Sequence, residues 1–483
     1  MRNLTEYSLY LILLMWIVIS ACETDDGDDP QVEEASAQVE VTINNAQGSV
    51  LEGVKVYAFD QPVSDELVAD PSQARASAIT TNNGIAKFNK MTQVKAGSKL
   101  FFAVIQERLA GNKVLATKEV IIPEGEETVQ ETLAVPYWGY ANGYLPTTID
   151  NALALKEYNR WKNTQLRGCG DGLRIIAEKQ EETKVEAVGF GMLLAAYAND
   201  KTTFDGIHKF YNAKRTAQAN NMMAWNVTCD GIIDPGSATD GDVDVAFALI
   251  VASTLWGDEY TDAAKEILEI VSSSVIKTCT VDGKEVKILG PGYSGIAWGG
   301  CGAMDIMYHT PAFFRIFAEV TGDVVWEELA NDTYITLNAG AHPTTGLVPD
   351  WQTATGAPGP DNRAGHYGYD ACRAPWKLTI DYLWNGNTES QAWAKKIAAW
   401  AANKGPANIV DGYELDGTPI GKNGLNSAFL GGFAVATMAS NQGTVNSFGT
   451  ELGKLNDTYW FNLNTRVLYL FTLTGNFWNP MEE

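Results

Sequence analysis

The apolar period of this chain changes once, near residue 137, and that single change restricts the folds open to it. Between residues 36 and 136 apolar and polar residues alternate, as in QVEVTI at Gln38 to Ile43 and VKVYAF at Val54 to Phe59. Similar runs follow at Ile85 to Phe88, Leu100 to Ile105, Val114 to Ile122 and Thr128 to Val135. Turn signals separate them, among them Asn82-Asn83-Gly84, Gly97-Ser98 and Pro123-Glu124-Gly125. Alternation of this kind fits strands with one buried face. About six or seven short strands in about 100 residues predict a small all-β sandwich. After the aromatic stretch PYWGYANGYLP the period turns helical and stays so. About twelve helices are expected, near 149–165, 184–198, 201–219, 240–256, 259–274, 302–320, 322–338, 370–386, 388–405, 423–440, 443–457 and 463–475. Short connections join neighbouring helices, which predicts hairpins. The long irregular stretches lie at 220–239, 276–301, 340–369 and 406–422. Long loops on a rigid helical scaffold are where a cleft is built.

The first residues read as an address. Leu9 to Ile19 is an apolar run of 11 residues, too short for an ordinary membrane-spanning helix. Ser20, Ala21 and Cys22 follow it and resemble a bacterial lipobox, in which cleavage leaves Cys22 as the lipidated first residue. Residues 1–21 are then a lipoprotein signal peptide and residues 22–35 an acidic, solvated tether. An acidic stretch directly after the lipidated cysteine also resembles a surface-export signal, so an outward-facing outer-membrane lipoprotein is expected. With 35 basic and 59 acidic residues the net charge is −24, which argues against nucleic acid and against an anionic membrane surface as partners. The other cysteines are Cys169, Cys229, Cys279, Cys301 and Cys372, with no CxxC pair and no His-Cys cluster. No metal site and no cofactor are expected. The odd count leaves at least one thiol unpaired within the chain, and the pairing stays open.

Three segments carry carboxylates in suggestive settings. Residues 238–256 read ATDGDVDVAFALIVASTLW, an acidic opening followed by an apolar run. Thr239 or Asp240 can cap a helix there, and carboxylates suit the positive end of its dipole. Ala246, Leu249, Ile250 and Trp256 would share a buried face. Residues 185–192 read VEAVGFGM, with Glu186 flanked by apolar residues that would strip water from its carboxyl. Desolvation keeps a proton on such a group near neutral pH. Residues 367–377 read YGYDACRAPWK. Asp370 can be a plain N-cap, and Arg373, three residues on, can reach its carboxylate and keep it ionised. Each segment alone also fits an ordinary capped helix.

Taken together and in this order, the segments resemble glycoside hydrolase family 8. The family signature Ala, Ser/Thr, Asp, Ala/Gly, Asp matches Ala238 to Asp242, with Val245 standing where Ile or Met is usual. The opening motif Ser-Glu-Gly-x-Gly-Tyr-Gly-Met matches residues 185–192, with Val185 for Ser, Ala187 for Gly and Phe190 for Tyr. The late motif Tyr-Asp-Ala-x-Arg-x-Pro-Trp matches Tyr369 to Trp376. GLVPDW at Gly346 to Trp351 and MYHTPAFFRIF at Met307 to Phe317 also look family-like, and Asp350 is a weaker candidate for a cleft acid. The resemblance spans roughly residues 150–475. It implies an all-α (α/α)6 barrel over residues 137–483, preceded by the all-β domain at 36–136. The pieces GSVLEGVKVYAF and TTNNGIAKF of that smaller domain loosely resemble Ig-like, carboxypeptidase-regulatory-like modules, with a spacer as the plain reading of their role.

The resemblance further implies hydrolysis of a β-1,4-linked polysaccharide with inversion. Glu186 matches the general acid, Asp370 the general base of the cellulase-like members, and Asp240 the carboxylate at the cleavage point. Trp225 resembles a tryptophan that stacks on sugar, and Tyr369 and Arg373 fall in the substrate-binding part of the late motif. Asp242 and Asp244 are expected to be structural. A base of the Asp370 type leans toward glucan or xylan over chitosan. Whether the loops at 276–301 and 340–369 block one end of the cleft stays open, and a monomer is expected. Two other readings compete. A lyase on the same fold would want His or Tyr with basic residues, whereas His208, His309, His342 and His366 share no motif. A non-catalytic surface glycan-binding protein would have lost a key carboxylate, and all three are present.

Overall fold

The computed structural model describes residues 37–482 apart from 92, 93, 95 and 125–127. The signal peptide, Cys22 and the acidic tether lie outside the described residues. The alternating region forms seven strands: β1 Ala37–Asn44, β2 Lys55–Phe59, β3 Ala76–Ile79, β4 Ile85–Met91, β5 Lys99–Gln106, β6 Lys113–Ile121 and β7 Thr128–Ala134. They make two sheets, ordered β4-β1-β7 and β3-β2-β5-β6. All pairs are antiparallel except β1 with β7. Val39, Val41 and Ile43 of one sheet share a buried core with Val56, Phe102 and Val104 of the other. Their odd or even spacing puts each set on one face, as period two requires. Strand β3 is Ala-Ser-Ala-Ile, too poor in β-branched and aromatic residues to be read from sequence. A short helix, α1 Asp65–Ala69, was likewise unmarked.

Twelve longer helices follow among the described residues: α2 Asn151–Gln165, α3 Val185–Tyr197, α4 Lys201–Ala213, α5 Thr239–Trp256, α6 Glu259–Ser274, α7 Pro311–Thr321, α8 Val325–Gly340, α9 Ala374–Asn385, α10 Thr388–Lys404, α11 Ser427–Thr437, α12 Gln442–Lys454 and α13 Trp460–Leu473. They alternate between an outer and an inner ring. Outer helices bury a stripe, such as Phe204, Ile207, Phe210 and Tyr211 of α4, at the spacing of one helical face. Several inner helices are enclosed all round: α11 and α13 bury every residue, and α5 does so from Thr239 to Ala252. The inner ring closes through contacts of α3 with α5, α7 with α9, α9 with α11, α11 with α13, and α13 with α3. Stacking of Phe247 of α5 on Phe313 of α7 supplies the remaining joint. This is an (α/α)6 barrel with an N-terminal strand-rich region.

Several local expectations need correction. Helix α5 is not one-faced, because it is an inner stave with neighbours on every side. Its N-cap is Ala238, without a side-chain cap, and Thr239 and Asp240 sit in the first turn. The helix expected from residue 302 starts at Pro311, which fits the first helical position because its missing N–H would be unpaired there anyway. The loops hold short ribbons: β8 Leu166–Cys169 with β9 Gly172–Ile175, and β10 Glu182–Lys184 with β11 Asn226–Thr228 and β12 Ile232–Asp234. Next come β13 Ile276–Val281 with β14 Lys284–Leu289, and β15 Gly292–Tyr293 with β16 Ala297–Trp298. The turn between β13 and β14 is Asp282-Gly283, both at positive φ, a tight hairpin signal inside a stretch expected to be irregular. Disulfides join Cys169 to Cys229 and Cys279 to Cys301, leaving Cys372 as a buried thiol.

The strand-rich region sits against the end of α13 and the start of α2. Asn476 accepts the Leu109 N–H at 2.7 Å and donates to Asn151 Oδ1 at 2.7 Å. Asn151 Nδ2 in turn donates to the Glu107 carbonyl at 2.7 Å. Gln106 Nε2 reaches the carbonyls of Gly139 and Gly475 at 3.4 and 3.3 Å. Among the described residues no helix is long and apolar enough to cross a membrane.

Candidate active site

Alternation of outer and inner helices makes every inner helix run the same way, so their N-termini share one rim of the barrel. Glu186 is the second residue of α3 and Asp240 the second of α5. Asp370 immediately precedes the 3-10 turn Ala371–Arg373 that leads into α9. The rim therefore gathers three carboxylates beside the positive ends of three helices. Arg373 joins them. Its Nη1 contacts Glu186 Oε1 and lies 3.2 Å from Asp240 Oδ2, while its Nη2 lies 3.3 Å from Asp370 Oδ1. The guanidinium is 2% exposed, packed against Phe190 and Phe461. Burial pushes it down to about 9, which leaves it cationic at neutral pH.

The carboxylates differ in setting. The Asp370 side chain is 41% exposed, against 18% for Glu186 and 4% for Asp240. Burial raises Asp240 to about 8, and the nearby Asp244 charge adds to this. Its Oδ1 has no hydrogen-bond partner among the described residues. Loss of hydration also raises Asp370 above the usual carboxylate range, while the Trp351 hydrogen bond and the Arg363 charge pull it back. Trp351 Nε1 donates to Asp370 Oδ2 at 3.1 Å. Asp370 makes no cap of its own. That role belongs to Asp350, whose Oδ1 accepts the N–H groups of Gly368 at 2.9 Å and Ala371 at 2.8 Å. Burial and then the Asp370 charge raise Asp350 to about 8. It is 5% exposed, and its Oδ1 holds the turn that carries Asp370.

Glu186, Tyr369 and Asp370 line a cavity of about 600 Å³ together with Asn423, Trp460 and Phe461. Tyr369 donates to Asp411 Oδ2 at 3.0 Å and packs edge-on to Phe429 and Phe461. Trp460 Nε1 and Asn462 Oδ1 have no partner among the described residues. Trp225 is not among the residues lining this cavity. The Lys184 ammonium lies 4.4 Å over its ring, and its carbonyl accepts the Val185 N–H at the start of α3. Asp242 accepts from the Tyr211 hydroxyl at 2.6 Å, and Asp244 pairs with Lys377 at 2.6 Å, both deep in the barrel.

Sequence reasoning missed a second wall. Trp298 of β16 stacks on Trp351 with centroids 6.0 Å apart, and the Arg363 guanidinium lies 4.3 Å over Trp351 and 5.2 Å over Trp298. Trp351 belongs to the GLVPDW segment already singled out, but its partners are distant in the chain and no local pattern marks them. Asp305 is also buried beside the carboxylates. Burial, then the charge of Asp370, hold its carboxyl well above the usual range.

Residues 133–474 match the model of glycosyl hydrolases family 8. Endoglucanase 2 of Ruminiclostridium josui is 31% identical over 360 residues, covering 71% of this chain and 75% of that protein. A reducing end xylose-releasing exo-oligoxylanase of Halalkalibacterium halodurans is 28% identical over 350 residues, covering 64% and 85%. The apo structure of a beta-1,3-1,4-glucanase from Paenibacillus sp. X4 superposes with a TM-score of 0.62 at 25% identity, covering 70% of this chain and 96% of that one. The chain belongs to glycosyl hydrolases family 8 and is a glycosidase.

Proposed function

We propose that the protein hydrolyses β-1,4 linkages of a plant-type glucan or xylan with inversion of the anomeric centre. The observation that carries this reading is the rim on which one guanidinium touches Glu186, Asp240 and Asp370. In this reading Glu186 protonates the leaving glycosidic oxygen. Asp370, the most exposed of the three, takes a proton from a water on the opposite face of the sugar. Asp240, through its unpartnered Oδ1, holds the sugar at the cleavage point. Inverting enzymes hold acid and base about 6.5–9.5 Å apart to admit that water. The Arg373 guanidinium touches both Glu186 and Asp370. The unpartnered Asp240 Oδ1, Trp460 Nε1 and Asn462 Oδ1 suit a ligand dense in hydroxyls. The relatives named above as endoglucanase, glucanase and exo-oligoxylanase support the substrate range without choosing within it.

Proton NMR of fresh products from β-glucan and xylan tests the reading. New α-anomer from either is the expected result. Fresh β-anomer would remove Asp370 as base, and no product from either would remove the substrate class. Around this enzyme we place an Ig-like, carboxypeptidase-regulatory-like spacer at 36–136 and a lipid anchor at Cys22 facing outward from the outer membrane. Cys22→Ser should move the protein from the membrane fraction to the soluble one.

A further inference from the structure

Arg363 is out of keeping with its surroundings. In a chain of net charge −24 it is an exposed cation with no ion pair and no side-chain hydrogen bond among the described residues. Its charge acts on Asp370, whose two oxygens are taken by Trp351 Nε1 and Arg373. Asp361, two residues back, does not pair with it. The guanidinium instead lies over the paired faces of Trp351 and Trp298. Stacking of this kind fixes the plane of the group while leaving its edge donors free. The result is a preorganised fork beside the cleft carboxylate Asp370.

We propose that Arg363 forms a subsite for a carboxylate-bearing sugar, a hexuronic acid carried on the β-linked glycan, held by the guanidinium edge next to the Trp298–Trp351 wall. This rests on the proposed glycan hydrolysis at the same cleft. A neutral sugar can take single hydrogen bonds from the fork through its hydroxyls. A planar carboxylate matches the fork with two charge-assisted hydrogen bonds. The negative field of the rest of the molecule repels acidic glycans, so a local cation is what would let one dock.

The test compares matched pairs: linear xylan oligosaccharides with and without a glucuronic acid branch, and carboxymethyl- against hydroxyethyl-cellulose oligosaccharides. Binding is read by calorimetry on Glu186→Gln protein, so that turnover does not intervene, and hydrolysis is read on the otherwise native chain. The acidic member of a pair should bind about fivefold tighter, the upper end for a partly exposed ion pair. That ratio should fall to one in Arg363→Met, which keeps the length and apolar stem, and to an intermediate value in Arg363→Lys, which keeps the charge but loses the planar fork. If Arg363→Met weakens both members alike, Arg363 only packs the wall and the proposal fails. It also fails if the native chain shows no preference. Preference for the acidic member without hydrolysis of any pair would keep this inference and overturn the proposed function instead.

Discussion

Arg373 is almost fully enclosed, yet it touches carboxylates that begin or precede three different helices. A lysine has one point charge and cannot reach three acids through a planar fork. Arg373→Lys should therefore fold but lose about 100-fold in kcat, the scale of an ångström of misplacement, as steady-state kinetics would show. Asp370→Asn should lower kcat by about 10²–10⁴-fold, the range for a general base, with little change in KM. Because Asp370 is raised, the acid limb of kcat/KM should lie above pH ~4. Arg363 is one of the groups pulling it down, so Arg363→Met should move that limb to higher pH. Asp242 offers a stability test. Burial raises it to about 7, so the folded state keeps a proton that the unfolded chain loses near pH ~4. Stability falls as pH rises through that window and levels off above it. The melting advantage of Asp242→Asn over the native chain should therefore grow between pH ~4 and 7, by an amount on the order of 2–4 kcal/mol.

Elements, rather than single residues, explain why the Asp370 carboxylate is not spent on a helix cap. Local rules made it an N-cap, but the distant carboxylate of Asp350 accepts the N–H groups of Gly368 and Ala371 on either side of it, 18 and 21 residues from them in the chain. Asp350→Ala would leave two buried donors unpaired, at about 1–3 kcal/mol each. Asp350→Asn keeps an acceptor and should lose much less, a contrast that urea melts would resolve. The helices, their order and the three rim carboxylates were legible because apolar period and short motifs are local. The cap by Asp350, the stacking of Trp298 on Trp351 and the pairing of Cys169 with Cys229 join distant parts of the chain, and no nearby pattern encodes them. Strand β3 escaped for the opposite reason, a sequence too bland to favour any element. The β13–β14 hairpin shows a middle case, since Asp282-Gly283 is a turn signal that a long-loop reading hid.

At the scale of the molecule the strand-rich region and the barrel share buried polar contacts centred on Asn476, which is 1% exposed. Asn476→Ala removes its bonds to Leu109 and Asn151. The loss should be about 1–3 kcal/mol. Calorimetry should show one unfolding transition in the native chain and a broadened or split one in the variant. A different consequence follows from the closure of the inner ring. The cavity beside Glu186 takes Trp460 and Phe461 from α13, and Trp161 of α2 donates to Asn464 of α13 at 2.7 Å. The first and last staves meet, so a chain emerging from the ribosome has its acid long before it has the wall that faces it. Assembly of the rim must wait for α13, and a product truncated between Arg373 and α13 would carry Glu186, Asp240 and Asp370 without the wall that faces them.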